Sequence, residues 1–243
     1  MRRALLIVVA VAAVTAGSAA PAQKAQLTIY AAASLTNVFP RIDNGQRYSF
    51  GGSNTLAAQI QQGAPADVFA SANMTLPAGL YAKKLCSKPV VFTRNTLVIA
   101  VPKANPAKLR SVYDLAHKGV KLVIAGPGVP VGSYTLQMLK NMNLSAKVLP
   151  NVVSRETDVR EVLAKVALGE ADAGFVYATD AKVDAGKVKV LKVPAWAQPK
   201  VQYGICVVSS STHKADARKF VNKVISKTGQ AKLRAAGFLP RKK

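Results

Sequence analysis

The sequence has few of the residues that usually carry out catalysis. Against 34 lysines and arginines it has only 11 acidic residues and two histidines, so candidates for a general base are scarce. It also lacks a G-x-S-x-G motif, an H-E-x-x-H motif, a Walker loop and a G-x-G-x-x-G after a strand. These absences argue against an enzyme and favour a binding protein.

A long apolar run occurs only at the start of the chain. Met1-Arg2-Arg3 is followed by an apolar stretch over residues 4–16 and by small residues over 17–22, which is the pattern of a secretory signal peptide. We assign residues 1–25 to this signal and expect a periplasmic protein from which the signal has been cleaved. No cysteine follows the apolar core, which favours a freely diffusing protein over a lipid-anchored one.

Cysteine occurs only twice, as Cys86 and Cys206. An even number in an exported protein is typical of a disulfide, and two buried free thiols fit the sequence equally well. Neither cysteine has metal-ligand spacing, and the two histidines, His117 and His213, are isolated. We therefore expect no resident metal ion and no cofactor.

Negative charge is scarce as well, and the formal net charge of +23 falls only to +21 without Arg2 and Arg3. Such a balance on its own suggests nucleic acid or an anionic surface as the partner. The basic residues are scattered, however, and aromatic residues are not interleaved with them as in proteins that bind single strands. We interpret the charge as a solvated surface that attracts small anions, and we expect no nucleic-acid partner.

Strand-like and helix-like segments alternate through the middle of the chain, which predicts an α/β fold with mostly parallel sheets flanked by helices. The predicted strands cover residues 27–31, 68–71, 96–101, 121–125, 173–177, 188–193 and 202–208.

Helices are predicted between these strands. The clearest covers residues 159–168, where apolar residues follow the i, i+3, i+4, i+7 stripe of a half-buried helix and Asp158 or Thr157 caps the start. Another begins near Thr55, and a single long helix is predicted over residues 215–236.

Two of the predicted strands, 96–101 and 202–208, are followed by proline-rich or serine-rich segments. If both strands cross between two lobes, residues 26–98 and 205–243 form lobe one and residues 99–204 form lobe two. A cleft then lies between the lobes, and clefts at such interfaces are where small ligands usually bind.

Near its start the chain twice has a strand that ends in small residues and a serine just before a helix. The two elements are residues 27–35, with Ser34, and residues 48–56, with Ser53. Such an arrangement leaves backbone N–H groups uncovered beside a hydroxyl, at the positive end of a helix dipole. Two of these elements facing each other can enclose a small dianion without a charged side chain.

Three later segments supply further donors of the same kind. Residues 126–134 and 156–159 each lead into a helix, and residues 174–180 end a buried strand with a phenol. Taken singly, these segments also fit a tight turn, a helix cap and a core tyrosine. Because they occur together at strand ends, an oxyanion site is the better interpretation.

Five ordered motifs resemble the periplasmic molybdate-binding proteins of ABC transporters, over nearly all of the mature chain. The motifs are A-A-A-S-L-T-N at 31–37, G-A-P-A-D-V-F-A-S-A at 63–72, V-P-V-G at 129–132, D-V-R at 158–160 and V-Y-A-T-D-A at 176–181. The resemblance implies a two-lobed periplasmic binding protein of type II. Its lobes are joined by two hinge strands and close on molybdate or tungstate, which a membrane ABC permease then receives.

The resemblance also assigns ligand-binding roles to five residues. Ser34 and Ser53 would offer hydroxyls and backbone N–H groups from lobe one. Val131 and Val159 would offer backbone N–H groups from lobe two, and Tyr177 its hydroxyl. The protein is expected to be a monomer.

The chain departs from the resemblance in two places. Residues 38–49 are fewer than the family usually has, so the helix after Ser34 should be short or loop-like, and Val131 stands where familiar members have alanine. Glu156 and Asp158 are expected to cap a helix start, although a carboxylate turned inward would admit a protonated anion instead. A binder of another tetrahedral oxyanion such as sulfate, or an effector-sensing domain of the same fold, is the alternative.

Overall fold

The computed structural model describes residues 26–241, so the predicted signal segment at 1–25 lies outside the described residues. The described residues form ten strands and nine helices, joined by short 3₁₀ turns. The strands are β1 (Thr28–Ala32), β2 (Arg47–Gly51), β3 (Val68–Ser71), β4 (Val90–Arg94), β5 (Leu97–Pro102), β6 (Leu122–Ala125), β7 (Val152–Glu156), β8 (Ala173–Tyr177), β9 (Val188–Lys192) and β10 (Gln202–Val207). The helices are α1 (Phe39–Ile42), α2 (Ser53–Gln61), α3 (Thr75–Ala82), α4 (Pro130–Asn141), α5 (Ser145–Val148), α6 (Val159–Ala167), α7 (Ala178–Val183), α8 (Lys214–Ile225) and α9 (Lys227–Ala235).

The strands make two five-stranded sheets, in the orders β2-β1-β3-β10-β4 and β7-β6-β8-β5-β9. Within the first sheet β1 is parallel to β2 and β3, whereas β10 is antiparallel to β3 and β4. The second sheet repeats this arrangement, with β6 parallel to β7 and β8, and β5 antiparallel to β8 and β9. The two-lobed α/β fold is confirmed: in each sheet four of the five strands point the same way, and the one opposed strand, β10 or β5, makes the sheet mixed.

Both sheets have central strands that are buried along their whole length. Strand β8 is buried at every residue, and β5 is buried from Leu97 to Val101. Continuous apolar strands of this kind need cover on both faces, which the flanking helices supply. Within the second lobe α6 packs on β8, as predicted for the segment at 159–168. A Cβ on Gly174 would lie 2.8 Å from Val162 and 2.9 Å from Val166, so the glycine allows the helix to approach the sheet closely.

The chain passes between the sheets at two short segments. Strand β4 belongs to the first sheet and β5 to the second, so the first crossing lies at residues 95–96. The return crossing lies between β9 and β10, because β10 pairs only with strands of the first sheet. The predicted lobe limits at 98/99 and 204/205 therefore fall inside β5 and β10. The division into lobes stays a prediction, and sheet membership favours limits just before each of these strands.

The single long helix predicted over residues 215–236 is two helices in the structure. Ser226 interrupts it with an extended backbone, at φ −66° and ψ 165°, and its hydroxyl oxygen accepts a hydrogen bond from the Gly229 N–H at 3.2 Å. A serine in this conformation ends α8 and caps α9. Helix α8 packs on β10, and α9 packs on α8 and α1. Because both have buried residues at helical spacing, the sequence pattern alone does not show the break.

Two further outcomes concern short segments. Strands β4 and β7 were not among the predicted strands. The segment at 38–49 contains only the four-residue helix α1 before β2, so the short helix expected there is confirmed. No helix of residues 26–241 is both long and apolar enough to cross a membrane.

Cys86 and Cys206 lie in a small apolar cluster between α2, α3 and the first sheet. Both are buried free thiols in the structure, and they lie close enough to shift each other's pKa, that of Cys86 downwards and that of Cys206 upwards. The Cys86 thiol also donates to the Pro77 carbonyl oxygen at 3.5 Å. The two cysteines that the sequence offered as a possible disulfide are thus neighbours in the structure. A disulfide between them stays a prediction.

Candidate functional site

A small cavity of about 10 Å³ lies between the two lobes. Such a volume is close to the minimum for one water molecule, so the site suits a small ion and is too small for a sugar or a peptide. The five residues predicted from the sequence all line this cavity, together with small and apolar neighbours: Ser34, Ser53, Val131, Val159 and Tyr177. The only charged side chain in the lining is Asp158.

Parallel pairing brings the predicted segments to the same place in each lobe. Ala32 at the end of β1 is in register with Gly51 at the end of β2, so the segments that carry Ser34 and Ser53 start side by side. Ala125 at the end of β6 likewise pairs with Glu156 at the end of β7, and β8 runs parallel to β6. The carboxyl ends of parallel strands are a common place for ligand sites in α/β proteins.

Four of the five residues stand in the first turn of a helix or 3₁₀ turn. Ser34 lies in the 3₁₀ turn Ala33–Leu35, Ser53 begins α2, Val131 is the second residue of α4 and Val159 begins α6. First-turn N–H groups have no acceptor within their own helix and lie at its positive end. Four such starts around one cavity make an environment for an anion.

A proline determines which backbone N–H at the start of α4 is available to a ligand. Pro130 occupies the first helical position and has no N–H, so Val131 is the first residue that can donate. Behind it, a Cβ on Gly132 would lie 2.5 Å from the carbonyl oxygens of Ala125 and Gly126. Glycine at 132 thus lets the helix start directly on the end of β6, which holds the Val131 N–H at the cavity.

The cap at the start of α6 determines which backbone N–H is left for a ligand. Asp158 accepts hydrogen bonds through Oδ1 from the N–H groups of Arg160 at 2.7 Å and Glu161 at 3.2 Å. This leaves the Val159 N–H as the first-turn donor that the cap does not use. Burial raises the pKa of Asp158, against the lowering effect of the two backbone N–H groups. The carboxylate therefore serves the helix start, as the sequence predicted.

Glu156 is also occupied locally. Its Oε1 accepts from the Ser154 hydroxyl at 2.7 Å and pairs with the Lys165 ammonium at 2.8 Å. Burial raises the pKa of Glu156, but the hydrogen bonds from Lys165 and Ser154 outweigh it, and the pKa is lowered overall. Glu156 therefore lies outside the cavity lining and does not cap the helix, contrary to expectation, whereas Asp158 caps it through Oδ1 alone.

The serine hydroxyls are held as well. Ser53 Oγ accepts a hydrogen bond from the Ala72 N–H at 3.1 Å, so its own proton is available to donate. Ser34 Oγ lies 2.9 Å from the hydroxyl of Tyr203, a residue outside the cavity lining. Both side chains are nearly completely buried.

The Tyr177 hydroxyl is buried and has no hydrogen-bond partner among residues 26–241. Burial raises the pKa of Tyr177 well above 10, so the phenol keeps its proton. A buried hydroxyl without a partner costs stability unless something else accepts its hydrogen bond. Its position in the cavity lining makes a ligand oxygen the natural acceptor.

An ion pair behind the cavity was not found by sequence reasoning. Arg160 Nε lies 2.7 Å from Asp180 Oδ1, and Arg160 Nη2 donates to Asn37 Oδ1 of the other lobe at 2.8 Å. Burial raises the pKa of Asp180 to about 6 although Arg160 lowers it. Arg160 and Asp180 both lie in quoted motifs, but their sequence separation gave no sign of the contact.

Among residues 26–241, no three histidine, cysteine, aspartate or glutamate side chains lie together as metal ligands. The site is built from donors: backbone N–H groups, two serine hydroxyls and one phenol. Because donors outnumber acceptors around the cavity, the site suits an anion that carries no proton.

Comparison with known proteins gives consistent results. The family model described as bacterial extracellular solute-binding protein matches residues 14–239. The molybdate-binding protein ModA of Mycobacterium tuberculosis is 37% identical over 231 residues, which covers 90% of this chain and 87% of that protein.

Two solved structures show the same fold. The periplasmic molybdate-binding protein of Azotobacter vinelandii superposes with a TM-score of 0.79 at 23% identity, over 89% of this chain and 100% of that one. The sulfate-binding protein SubI of Mycobacterium tuberculosis superposes with a TM-score of 0.76 at 21% identity, over 88% of this chain and 86% of that one. At these identities the two structures support the architecture and leave the choice of anion to the site.

Proposed function

The chain belongs to the bacterial extracellular solute-binding proteins, and on that premise we propose that it captures molybdate between its lobes and delivers it to the membrane permease of an ABC transporter. One observation carries the proposal: helix starts from both lobes and the partnerless Tyr177 hydroxyl meet at a cavity of ionic size. Tungstate has the same shape and charge and is proposed as a second ligand. The ligand is cargo, and the protein is proposed to have no catalytic activity.

The five residues divide the task between the lobes. Ser34 and Ser53 hold the anion on lobe one through hydroxyl and backbone donors. Val131, Val159 and Tyr177 reach it from lobe two when the cleft is closed. Each hydrogen bond to a charged group contributes roughly 1.5 to 3 kcal/mol net. Five or more of them therefore support tight binding even after ordering and desolvation costs.

Selectivity follows from the shortage of acceptors. Phosphate at neutral pH carries a proton that needs an acceptor, and the lining offers few: Asp158 is its one carboxylate, and Oδ1 of that group already accepts from two backbone N–H groups. A site of fixed donors therefore disfavours phosphate. Sulfate is also a fully deprotonated tetrahedral dianion and is the competitor that the experiment below must separate.

Release to a permease requires the lobes to part. We propose that they do so at the two chain crossings, residues 95–96 and 199–201, which lie outside the strands of both sheets. The positive surface charge would raise the rate at which anions arrive, and salt would weaken this effect. The protein is proposed to act in the periplasm as a monomer, after removal of the signal peptide.

Isothermal titration calorimetry of the mature chain tests the proposal. We expect one molybdate per chain with tight binding, similar behaviour with tungstate, and much weaker binding of phosphate. A ligand at 100 times its Kd should also raise the free energy of unfolding by about 2.7 kcal/mol. Ser34→Ala should weaken binding by roughly 1 to 3 kcal/mol. Binding of sulfate without binding of molybdate would replace the assignment with the alternative.

A further inference from the structure

A chain of buried hydrogen bonds leads away from the cavity to a crossing between the lobes. Ser34 Oγ lies 2.9 Å from the Tyr203 hydroxyl, and the Asn95 side-chain amide donates to the same hydroxyl at 3.3 Å. All three residues are nearly completely buried. Asn95 and Tyr203 do not line the cavity, but Tyr203 contacts two lining residues: Ser34 through its hydroxyl, and Tyr177 through its ring, with ring centres 5.7 Å apart. A test of the hydroxyl must therefore keep the ring in place.

The direction of these hydrogen bonds can be read from their ends. Asn95 Oδ1 accepts from the Thr96 N–H at 2.9 Å, which identifies the other amide atom as the nitrogen. That nitrogen, Nδ2, donates one proton to Thr179 Oγ1 at 2.8 Å and the other to the Tyr203 oxygen. Because the Tyr203 oxygen is already an acceptor, its own proton is directed to Ser34 Oγ.

Tyr203 keeps this proton at any physiological pH. Burial raises the pKa of Tyr203 well above 10, and the nearby Asp180 carboxylate raises it further, although the hydrogen bonds to Ser34 and Asn95 act in the opposite direction. Its ring is held by Phe92 and Phe238, with ring centres 6.0 and 5.6 Å away in edge-on contact. The donor is thus fixed in both protonation and position.

We propose that Tyr203, oriented by Asn95, is a positioning residue that makes the Ser34 hydroxyl a donor toward the bound anion. The inference rests on the proposed function, since it concerns the same cavity. With one lone pair of Ser34 Oγ filled by the Tyr203 proton, the Ser34 proton still lacks an acceptor among the described residues and is directed to the ligand. A ligand oxygen that meets this proton accepts a hydrogen bond from it, which favours an anion without a proton there.

Without the Tyr203 hydroxyl, Ser34 can rotate and accept a hydrogen bond from a protonated anion. Removing that hydroxyl should therefore change which anions bind as well as how tightly they bind. A residue that only supports the fold would weaken all tetrahedral anions to the same extent. The ratio of molybdate affinity to phosphate affinity separates the two roles.

The test is a double-mutant cycle by calorimetry with wild type, Tyr203→Phe, Ser34→Ala and the double variant. Tyr203→Phe keeps the ring contacts and should weaken molybdate binding about tenfold, the size of a lost hydrogen bond to a charged group. In the Ser34→Ala background the same substitution should change affinity less than about twofold. The ratio of molybdate to phosphate affinity should fall in Tyr203→Phe alone.

Tyr48→Phe is the matched control. Tyr48 is in the same lobe, and its hydroxyl donates to the carbonyl oxygens of Phe39 and Asp43 away from the cavity. The Tyr48→Phe variant should have a lower melting temperature, with the molybdate affinity and the ratio of molybdate to phosphate affinity unchanged. The inference would be overturned if Tyr203→Phe reduced molybdate affinity equally in wild type and in Ser34→Ala. It would also be overturned if the ratio of molybdate to phosphate affinity did not change.

The wild-type titration decides the proposed function separately. If the wild type prefers another tetrahedral anion, molybdate capture fails, and the same cycle run with that anion still tests the role of Tyr203.

Discussion

Gly52 of the first lobe and Thr157 of the second face each other across the cleft in close contact. A Cβ on residue 52 would lie 2.3 Å from the Thr157 carbonyl oxygen, a distance that real structures do not tolerate. Gly52 directly precedes Ser53, and Thr157 lies two residues before Val159. The two backbones therefore meet beside the donors of both lobes, and the contact limits how far the cleft can close.

Replacing Gly52 with alanine should keep the lobes apart. The backbone of Gly52, at φ −60° and ψ 127°, is one that alanine adopts without strain, so the main obstacle is the opposite lobe. Loss of even one hydrogen bond from the second lobe costs about 1.5 to 3 kcal/mol. We expect Gly52→Ala to bind molybdate at least about tenfold more weakly, as measured by calorimetry.

Gly79→Ala is the control for this substitution. Gly79 is exposed in α3 of the same lobe, and nothing lies within 4 Å of the position where its Cβ would stand. Alanine there should leave affinity unchanged and raise stability by about 0.5 to 1 kcal/mol. Wild-type affinity in Gly52→Ala would show that the contact does not control closure.

The hydrogen bond from Arg160 to Asn37 joins the lobes on another side of the cavity. Because it crosses the cleft, it contributes to the closed state and not to the folding of either lobe. Asn37→Ala should weaken molybdate binding about three- to tenfold, the range for an ordinary net hydrogen bond, because this one is exposed to solvent. Thermal unfolding without ligand should hardly change.

The exposed Asn141 at the end of α4 supplies the comparison, and Asn141→Ala should alter neither quantity. Equal affinities for Asn37→Ala and wild type would mean that the bond is incidental to binding.

Asp180 should make stability depend on pH in an unusual direction. Its pKa is raised to about 6 from 3.8 by burial, against the effect of Arg160. Between these values the folded state binds more protons than the unfolded state, so this group stabilises the protein most at low pH and loses its contribution as the pH rises through about 6. Two pKa units correspond to about 3 kcal/mol.

Urea unfolding without ligand measures this effect when wild type is compared with Asp180→Asn. The difference in unfolding free energy, wild type minus variant, should fall as the pH is raised from about 4 to about 6 and stay constant above. Arg160 and Asp158, the charged neighbours of Asp180, are present in both proteins. A difference that does not vary with pH would contradict the raised pKa.

Motifs and periodicity predicted the parts of this protein that depend on local sequence. Val131 and Val159 could be placed at helix starts because proline, glycine and aspartate mark those starts along the chain. Strand β7 was not predicted because it is an edge strand with alternating half-buried and exposed residues, so its apolar signal is weak.

Contacts between distant residues could not be predicted. Asn95, Thr179 and Tyr203 meet only because the crossing between lobes brings them together. The break at Ser226 was missed because buried residues continue at helical spacing through both α8 and α9. A capping serine looks like an ordinary exposed residue until its backbone is known.

The adjacent thiols of Cys86 and Cys206 lead to a last prediction, about oxidation. The interaction with Cys86 and burial raise the pKa of Cys206, while the same interaction lowers the pKa of Cys86. Because both thiols are buried, reagents in solution should reach neither of them readily once the protein is folded. In an oxidising compartment, however, the pair can join while the chain folds. We expect protein purified from the periplasm to carry a disulfide between them and no free thiol after denaturation.

Such a bond would close a loop of more than 100 residues, for which chain entropy gives about 4 to 5 kcal/mol of stabilisation. Reductant should therefore lower the melting temperature of the wild type and have no effect on Cys206→Ala. Two titratable thiols in denatured periplasmic protein, with a melting temperature that ignores reductant, would establish the free pair instead. Since neither cysteine lines the cavity, molybdate affinity should be the same in either state.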